Sequence, residues 1–149
     1  MKEFGSLAAF ADHLAALQAG VTAQLEKGLD RAAKRVQKTA QEEIGHYQEA
    51  AGPFQKWEEL TRGTQDDRER KGYTRNDPGL RSGAMRQSIE RQRQGLQAAV
   101  GSNDDHLVWF EMGAKAEPRS VLGLAAHRES EAVGQIIRDA VAHGLSGGG

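Results

Sequence analysis

The chain has 149 residues, 38% hydrophobic and 28% charged, with a formal net charge of −1. That length suits one domain, and the low apolar fraction implies a thin core of the kind that gains stability by association with copies or partners. The absence of cysteine excludes disulfides, thiol catalysis and cysteine-ligated zinc, and it fits a reducing cytoplasm.

No apolar run approaches the ~18 residues that mark a membrane-spanning helix. Lys2 and Glu3 lead into an Ala/Leu stretch broken by Asp12 and His13, unlike a signal peptide. Ser6 is available as an N-cap before Leu7, Phe10, Leu14 and Leu17, which recur at helical spacing. Gly20 then interrupts. Val21, Leu25, Leu29, Ala32, Val36, Ala40 and Ile44 continue at steps of three and four, predicting a long amphipathic helix over 20–48. Asp30 and Lys34 form a favourable pair on its solvated side, while Gly28 and Gly45 each weaken it by up to ~1 kcal/mol.

Residues 50–82 show no sustained periodicity and read as an extended arm that orders on another surface. Trp57, Leu60 and Tyr73 are scattered through it, and Asn76-Asp77-Pro78-Gly79 signals a turn with Pro at i+1 and Gly at i+2. Two short strands follow, over 84–92 and 96–101, turned near Gln94-Gly95. Leu96, Ala98 and Val100 alternate as in a half-buried strand. Residues 105–112 suit a short helix closed by Gly113, with Trp109 and Phe110 in the core. A C-terminal helix carries Leu122, Ala125, Ala126, Val133, Ile136, Ile137, Ala140 and Val141, ending at His143-Gly144. The fold class expected is α+β in a single domain over 1–149. It comprises a helical 1–49, an arm 50–82, a hairpin and C-terminal helix over 83–145, and a flexible tail 146–149.

Candidate chemistry is sparse. Glu43-Ile44-Gly45-His46 has the Glu-x-x-His spacing of di-iron bundles, but that site needs a second copy of the motif and further glutamates. Asn103-Asp104-Asp105-His106 gathers donors over too short a span for a calcium loop, and an aspartate there suits a helix N-cap. No nucleophile elbow or phosphate loop occurs. The expectation is no catalytic residue, no cofactor and no metal.

Charge is uneven. Residues 62–93 hold nine Lys/Arg against five Asp/Glu, whereas 1–61 sum to −2 and 94–149 to −3. Arg68, Arg70, Lys71, Arg75, Arg81, Arg86, Arg91 and Arg93 resemble a nucleic-acid surface whose binding would fall steeply with salt. Asp66, Asp67, Glu69 and Asp77 are interleaved, which favours a salt-bridged, solvated arm. A basic middle can also meet the acidic part of another copy.

Several blocks occur in a fixed order: Trp57-x-x-Leu60-Thr61-x-x-Thr64, then Asn76-Asp77-Pro78-x-Leu80-Arg81-Ser82-Gly83-x-Met85-Arg86-x-Ser88-Ile89. Val100-Gly101-Ser102-Asn103, Phe110-Glu111-x-Gly113 and Pro118-Arg119-x-x-Leu122-Gly123-Leu124 follow. This arrangement resembles the tail-completion, neck or head–tail joining proteins of long-tailed bacteriophages, the virion morphogenesis or minor tail protein Z type. Gly79 departs from the pattern, which more often has leucine there, and so loosens the expected turn.

The resemblance implies a non-catalytic structural protein of the virion neck, assembled in the host cytoplasm as a hexameric ring. Its implied partners are copies of itself, a tail tube or tail terminator protein and a head-connector protein. DNA merely passes through, and no membrane is involved. The candidate interface comprises Trp57, Leu60, Arg68, Arg70, Tyr73, Arg75, Arg81 and Arg119. The alternative is a DNA-binding phage protein using the basic arm 62–93.

Overall fold

The computed structural model describes residues 5–113 and 116–147, so Lys2, Glu3 and the last two residues of the expected tail lie outside it. The fold is α+β. Helix α1 (Leu7–Glu43) is followed by α2 (Arg62–Arg70), α3 (Ala84–Gln87), strands β1 (Glu90–Gln94) and β2 (Gln97–Gly101), α4 (Asp105–Met112) and α5 (Leu122–Leu145). Among the described residues no helix is long and apolar enough to cross a membrane.

The chain divides into two compact units that interleave along the sequence. One contains residues 1–32, 93–98 and 131–149, and the other contains 33–92 and 99–130. In the first unit glycine does a packing job. A Cβ added at Gly28 would lie 3.0 Å from the Ala140 Cβ, and one at Gly144 would lie 2.6 Å from the Val21 Cα. Ala32 and Ala140 are buried beside them. These small residues let α1 and α5 approach closely, at the ~1 kcal/mol propensity cost of glycine in a helix.

Helix α1 is continuous, so Gly20 does not break it. The Ser6 hydroxyl caps it by accepting from the Ala9 N–H at 3.1 Å. It stops at Glu43 rather than at 48, because Gly45 takes φ +98° and donates its N–H to the Pro78 carbonyl at 2.7 Å. Gly45 therefore ends the helix instead of weakening it.

The second unit holds the main core. Ala40, Ile44, Trp57, Met85, Ile89, Leu107, Val121 and Ala125 are buried together. Trp57 is 3% exposed, donates its indole N–H to the Ser120 carbonyl at 3.1 Å and stands edge-on to Phe110. The reading of Trp57 as an interface residue is thus overturned: its ring and its one donor are both satisfied internally.

The segment 50–82 is not an extended arm. It contains α2, whose N-cap Thr61 accepts from the Thr64 N–H at 3.3 Å. Helix α2 has no apolar stripe to betray it, and ion pairs hold it instead. Arg75 bridges Asp66 and Glu69, both at 2.7 Å, while Asp67 receives Lys71 at 2.9 Å, Arg81 at 3.3 Å and Arg70 at 3.4 Å. The Lys71 hydrogen bond draws the Asp67 carboxyl below the usual carboxylate range.

The turn at Asp77–Leu80 forms as expected, closed by the Leu80 N–H on the Asp77 carbonyl at 3.1 Å with Gly79 at φ +77°. A Cβ at Gly79 would sit 2.6 Å from the Met85 Cε, so the glycine tightens local packing and does not loosen it. The hairpin is shorter than predicted, because residues 84–87 form α3, and its strands are largely exposed rather than half-buried.

Helix α4 is capped by Asp104, which accepts from the His106 N–H at 2.8 Å, and closed by Gly113 at φ +73°. Its Glu111 side chain reaches the start of α5. There it accepts from the N–H groups of Val121 (2.6 Å), Leu122 (2.9 Å) and Gly123 (3.0 Å), and from the Ser120 hydroxyl (2.6 Å). A carboxylate at three free amides of a helix N-terminus satisfies both orphan donors and the macrodipole. The Phe110-Glu111-x-Gly113 and Pro118–Leu124 blocks are joined by this cap.

Candidate functional site

A groove of about 530 Å³ opens between the α2 segment, the turn at 79–84 and α4. Five of the eight candidate interface residues line it: Leu60, Arg68, Tyr73, Arg81 and Arg119. Its apolar surface comes from Leu60, Met85, Trp109 and Phe110, and its rim from Arg81, Arg119, Asp104 and Glu117. A concave, mostly apolar site with a few polar groups at its edge is the usual form of a recognition surface.

The arginines differ in what they can offer. Arg68 is 3% exposed and donates to the carbonyls of Thr74 at 2.8 Å, Asp77 at 2.7 Å, and Leu80. Burial lowers its pKa from the usual value, yet a guanidinium stays charged. Arg68 is therefore a strut that pins the 74–80 loop to α2, and not a partner contact. Replacing it with alanine orphans those carbonyls and should cost about 2 kcal/mol in a urea titration. An unchanged midpoint would refute the strut.

Arg119 donates to the Glu58 carbonyl at 2.8 and 3.0 Å and lies over the Phe110 ring at 5.4 Å. Arg81 lies over Tyr73 at 5.3 Å. Both keep a face toward the groove. Arg70 and Arg75 do not line it; they serve the ion pairs of α2.

Trp109, a core residue by its sequence pattern, is instead 54% exposed, beside Val108 at 50% and Met112 at 73%. Only Leu107, 2% exposed, turns fully inward from α4. The run Leu107-Val108-Trp109-Phe110 is apolar on every face, so no periodicity could tell which residues point out. Trp109 is steadied by His106, whose ring meets it at 5.1 Å and whose Nδ1 is 3.0 Å from Asp104.

Neither metal reading gains a site. Glu43 points inward and His46 is exposed beyond the helix end. Among the described residues no three His, Asp or Glu side chains converge on a point. Glu43 is unusual for another reason: it is 3% exposed, with one oxygen 3.4 Å from Arg128 and the other without a hydrogen-bond partner. Burial pushes its carboxyl up to about 8, opposed by Arg128 and reinforced by the charge of Glu111.

The cations of 62–93 are mostly engaged. Besides the α2 pairs, Arg86 donates to the Ile44 carbonyl at 2.6 Å, Arg91 to Gln37 at 2.7 Å, and Arg93 lies 3.6 Å from Glu26. No family profile, characterised protein or solved structure matches this chain.

Proposed function

We propose that the protein is a structural component of a bacteriophage neck, a ring-forming tail-completion or head–tail joining protein that acts through protein–protein contacts. The observation that carries the reading is the face of α4. Val108, Trp109 and Met112 are exposed together, beside a groove edged by Arg81 and Arg119. Exposed apolar clusters rimmed by polar groups mark interaction sites, and Trp, Met and Arg are enriched in them. The ordered sequence blocks add support, since those at 57–64, 76–89, 110–113 and 118–124 all contribute residues to this one region.

In this role the protein supplies a rigid, shaped surface, with its partners the tail and the connector. Duplex DNA binding by residues 62–93 is the weaker reading, because carboxylates and carbonyls already occupy most of those cations. Electron microscopy and co-sedimentation of the purified protein with tails lacking it test the proposal. Rings seated on the tail end are expected, and a chain that never associates with tails or connectors would overturn it. Titration with duplex DNA at low salt, run in parallel, should give no binding that falls with salt in the steep manner of phosphate contacts.

A further inference from the structure

The chain leaving α1 forms a strap, residues 45–57, and Gln48 is its fastening. The Gln48 carbonyl accepts from the Trp57 N–H at 2.9 Å, which closes the strap into a loop. Its side-chain amide donates to the carbonyls of Glu43 at 3.0 Å and His46 at 2.9 Å. Its side-chain oxygen accepts from Arg128 on α5. Beyond Gln48 the strap turns through the Ala51–Phe54 bridge and lays Phe54 against Gly123. Glu49, Ala50, Gly52, Pro53, Gln55 and Lys56 are exposed, so little burial holds this stretch in place.

Arg128 has a second acceptor within reach. Its Nη1, the atom that donates to Gln48, lies 3.4 Å from the Glu43 Oε1, longer than the ~2.8 Å of a charge-assisted bond. The Glu43 Oε2 is buried without a hydrogen-bond partner. One nitrogen thus faces two oxygens and favours the neutral amide. That choice suits a protonated carboxyl, because an ionised one would draw the guanidinium to itself.

We propose that Glu43, Arg128 and Gln48 form a proton-operated latch. With Glu43 protonated, Arg128 holds Gln48 and the strap is closed. On ionisation the guanidinium turns to the Glu43 carboxylate, and Gln48 is released with the strap it fastens. The Glu43 carboxyl keeps its proton up to about 8, so the latch opens as pH rises through that value.

The other charged groups around Glu43 are committed elsewhere. On α4, Glu111 adds a negative charge, but its oxygens are taken by Ser120 and the α5 amides. On α5, Glu129 is paired with Arg35 and bonded by Thr39, and His127 lies against Gly52 and Phe54. Arg86 of α3 donates to the Ile44 carbonyl, and Glu42 pairs with Lys38 on the exposed side of α1. His46 of the strap is exposed. Among the described residues, Arg128 alone lies within ion-pair distance of Glu43.

Carbon-detected NMR of the whole chain across neutral and alkaline pH reads the latch directly. The Glu43 carboxyl and Gln48 carboxamide carbons should titrate together, with one midpoint near 8. Subtilisin should cut within residues 49–56 about tenfold faster one unit above that midpoint than one unit below it, following the ionised fraction. Each rate is taken relative to Glu43→Gln at the same pH, which removes any contribution of His46 or His127. Gln48→Leu, with its fastening gone, should be cut fast at both pH values. Cuts confined to 49–56 distinguish release of the strap from unfolding of the domain.

A Gln48 carbon that stays still while Glu43 titrates would overturn the latch. Wild-type cleavage that parallels Glu43→Gln would do the same, as would a Glu43 midpoint in the ordinary carboxylate range. Gln48→Leu cut as slowly as Glu43→Gln would show that Gln48 fastens nothing. If circular dichroism shows Gln48→Leu unfolded, wild type against Glu43→Gln decides alone.

Discussion

Trp57→Ala should lower the stability of the isolated protein by about 4 kcal/mol, the range for removing a large buried aromatic. The ring is 3% exposed and packed among Ile44, Met85, Leu107 and Phe110, and its N–H has only the Ser120 carbonyl as partner. At this chain length a loss of that size moves the melting temperature by roughly 15 °C. It is also a large share of the ~5–15 kcal/mol by which a domain is normally stable. Thermal unfolding followed by circular dichroism checks it. Assembly should fail in step with folding, and Trp57→Phe should recover most of both. A variant that melts within a few degrees of wild type yet no longer assembles would return Trp57 to the interface.

The second large effect is a pH dependence set by Glu43. In the unfolded chain its carboxyl titrates near 4.5, whereas in the folded protein it holds its proton up to about 8. Between those values the folded state binds more protons than the unfolded one, so stability falls as pH rises, by up to ~1.4 kcal/mol per unit. The contribution is complete below pH 4.5 and gone above about 8. Glu43→Gln keeps the shape and removes the titration. It should therefore gain about 3 kcal/mol over wild type near pH 7.5 and nothing near pH 4, an estimate set below the full linkage value for relaxation around the site. Urea titrations of both proteins across this range give the difference directly. Parallel curves would mean that Arg128, at 3.4 Å, compensates the buried charge in full.

Much of the scaffold was legible because its signals are local. The stripe from Val21 to Ile44 implies α1, Asp104 and Gly113 bracket α4, Pro78-Gly79 forms the turn, and Leu122 to Val141 implies α5. What stayed hidden depends on distant partners. Arg-Gly-Thr-Gln-Asp-Asp-Arg-Glu-Arg has no apolar face, so α2 is a helix only because Thr61 caps it and its charges pair. The site was half legible. Five arginine and aromatic or aliphatic candidates do converge on the groove, because they flank a folded segment that composition suggested was loose. Sequence does not distinguish the exposed Trp109 from the buried Trp57, since hydrophobicity is equal in both places and only the packing of Leu107 decides which side of α4 turns inward.

Glu111 has a consequence for how tightly the groove can bind. It sits on α4, one wall of the groove, yet its carboxylate is held by three amides and a hydroxyl at the start of α5. Tilting α4 away would strip those bonds from a charged acceptor, so the wall stays in place before any partner arrives. A partner then has little conformational freedom to remove from this surface on binding. The exposed tryptophan stands on a preorganised support, and apolar contact made there goes into affinity rather than into ordering the receptor.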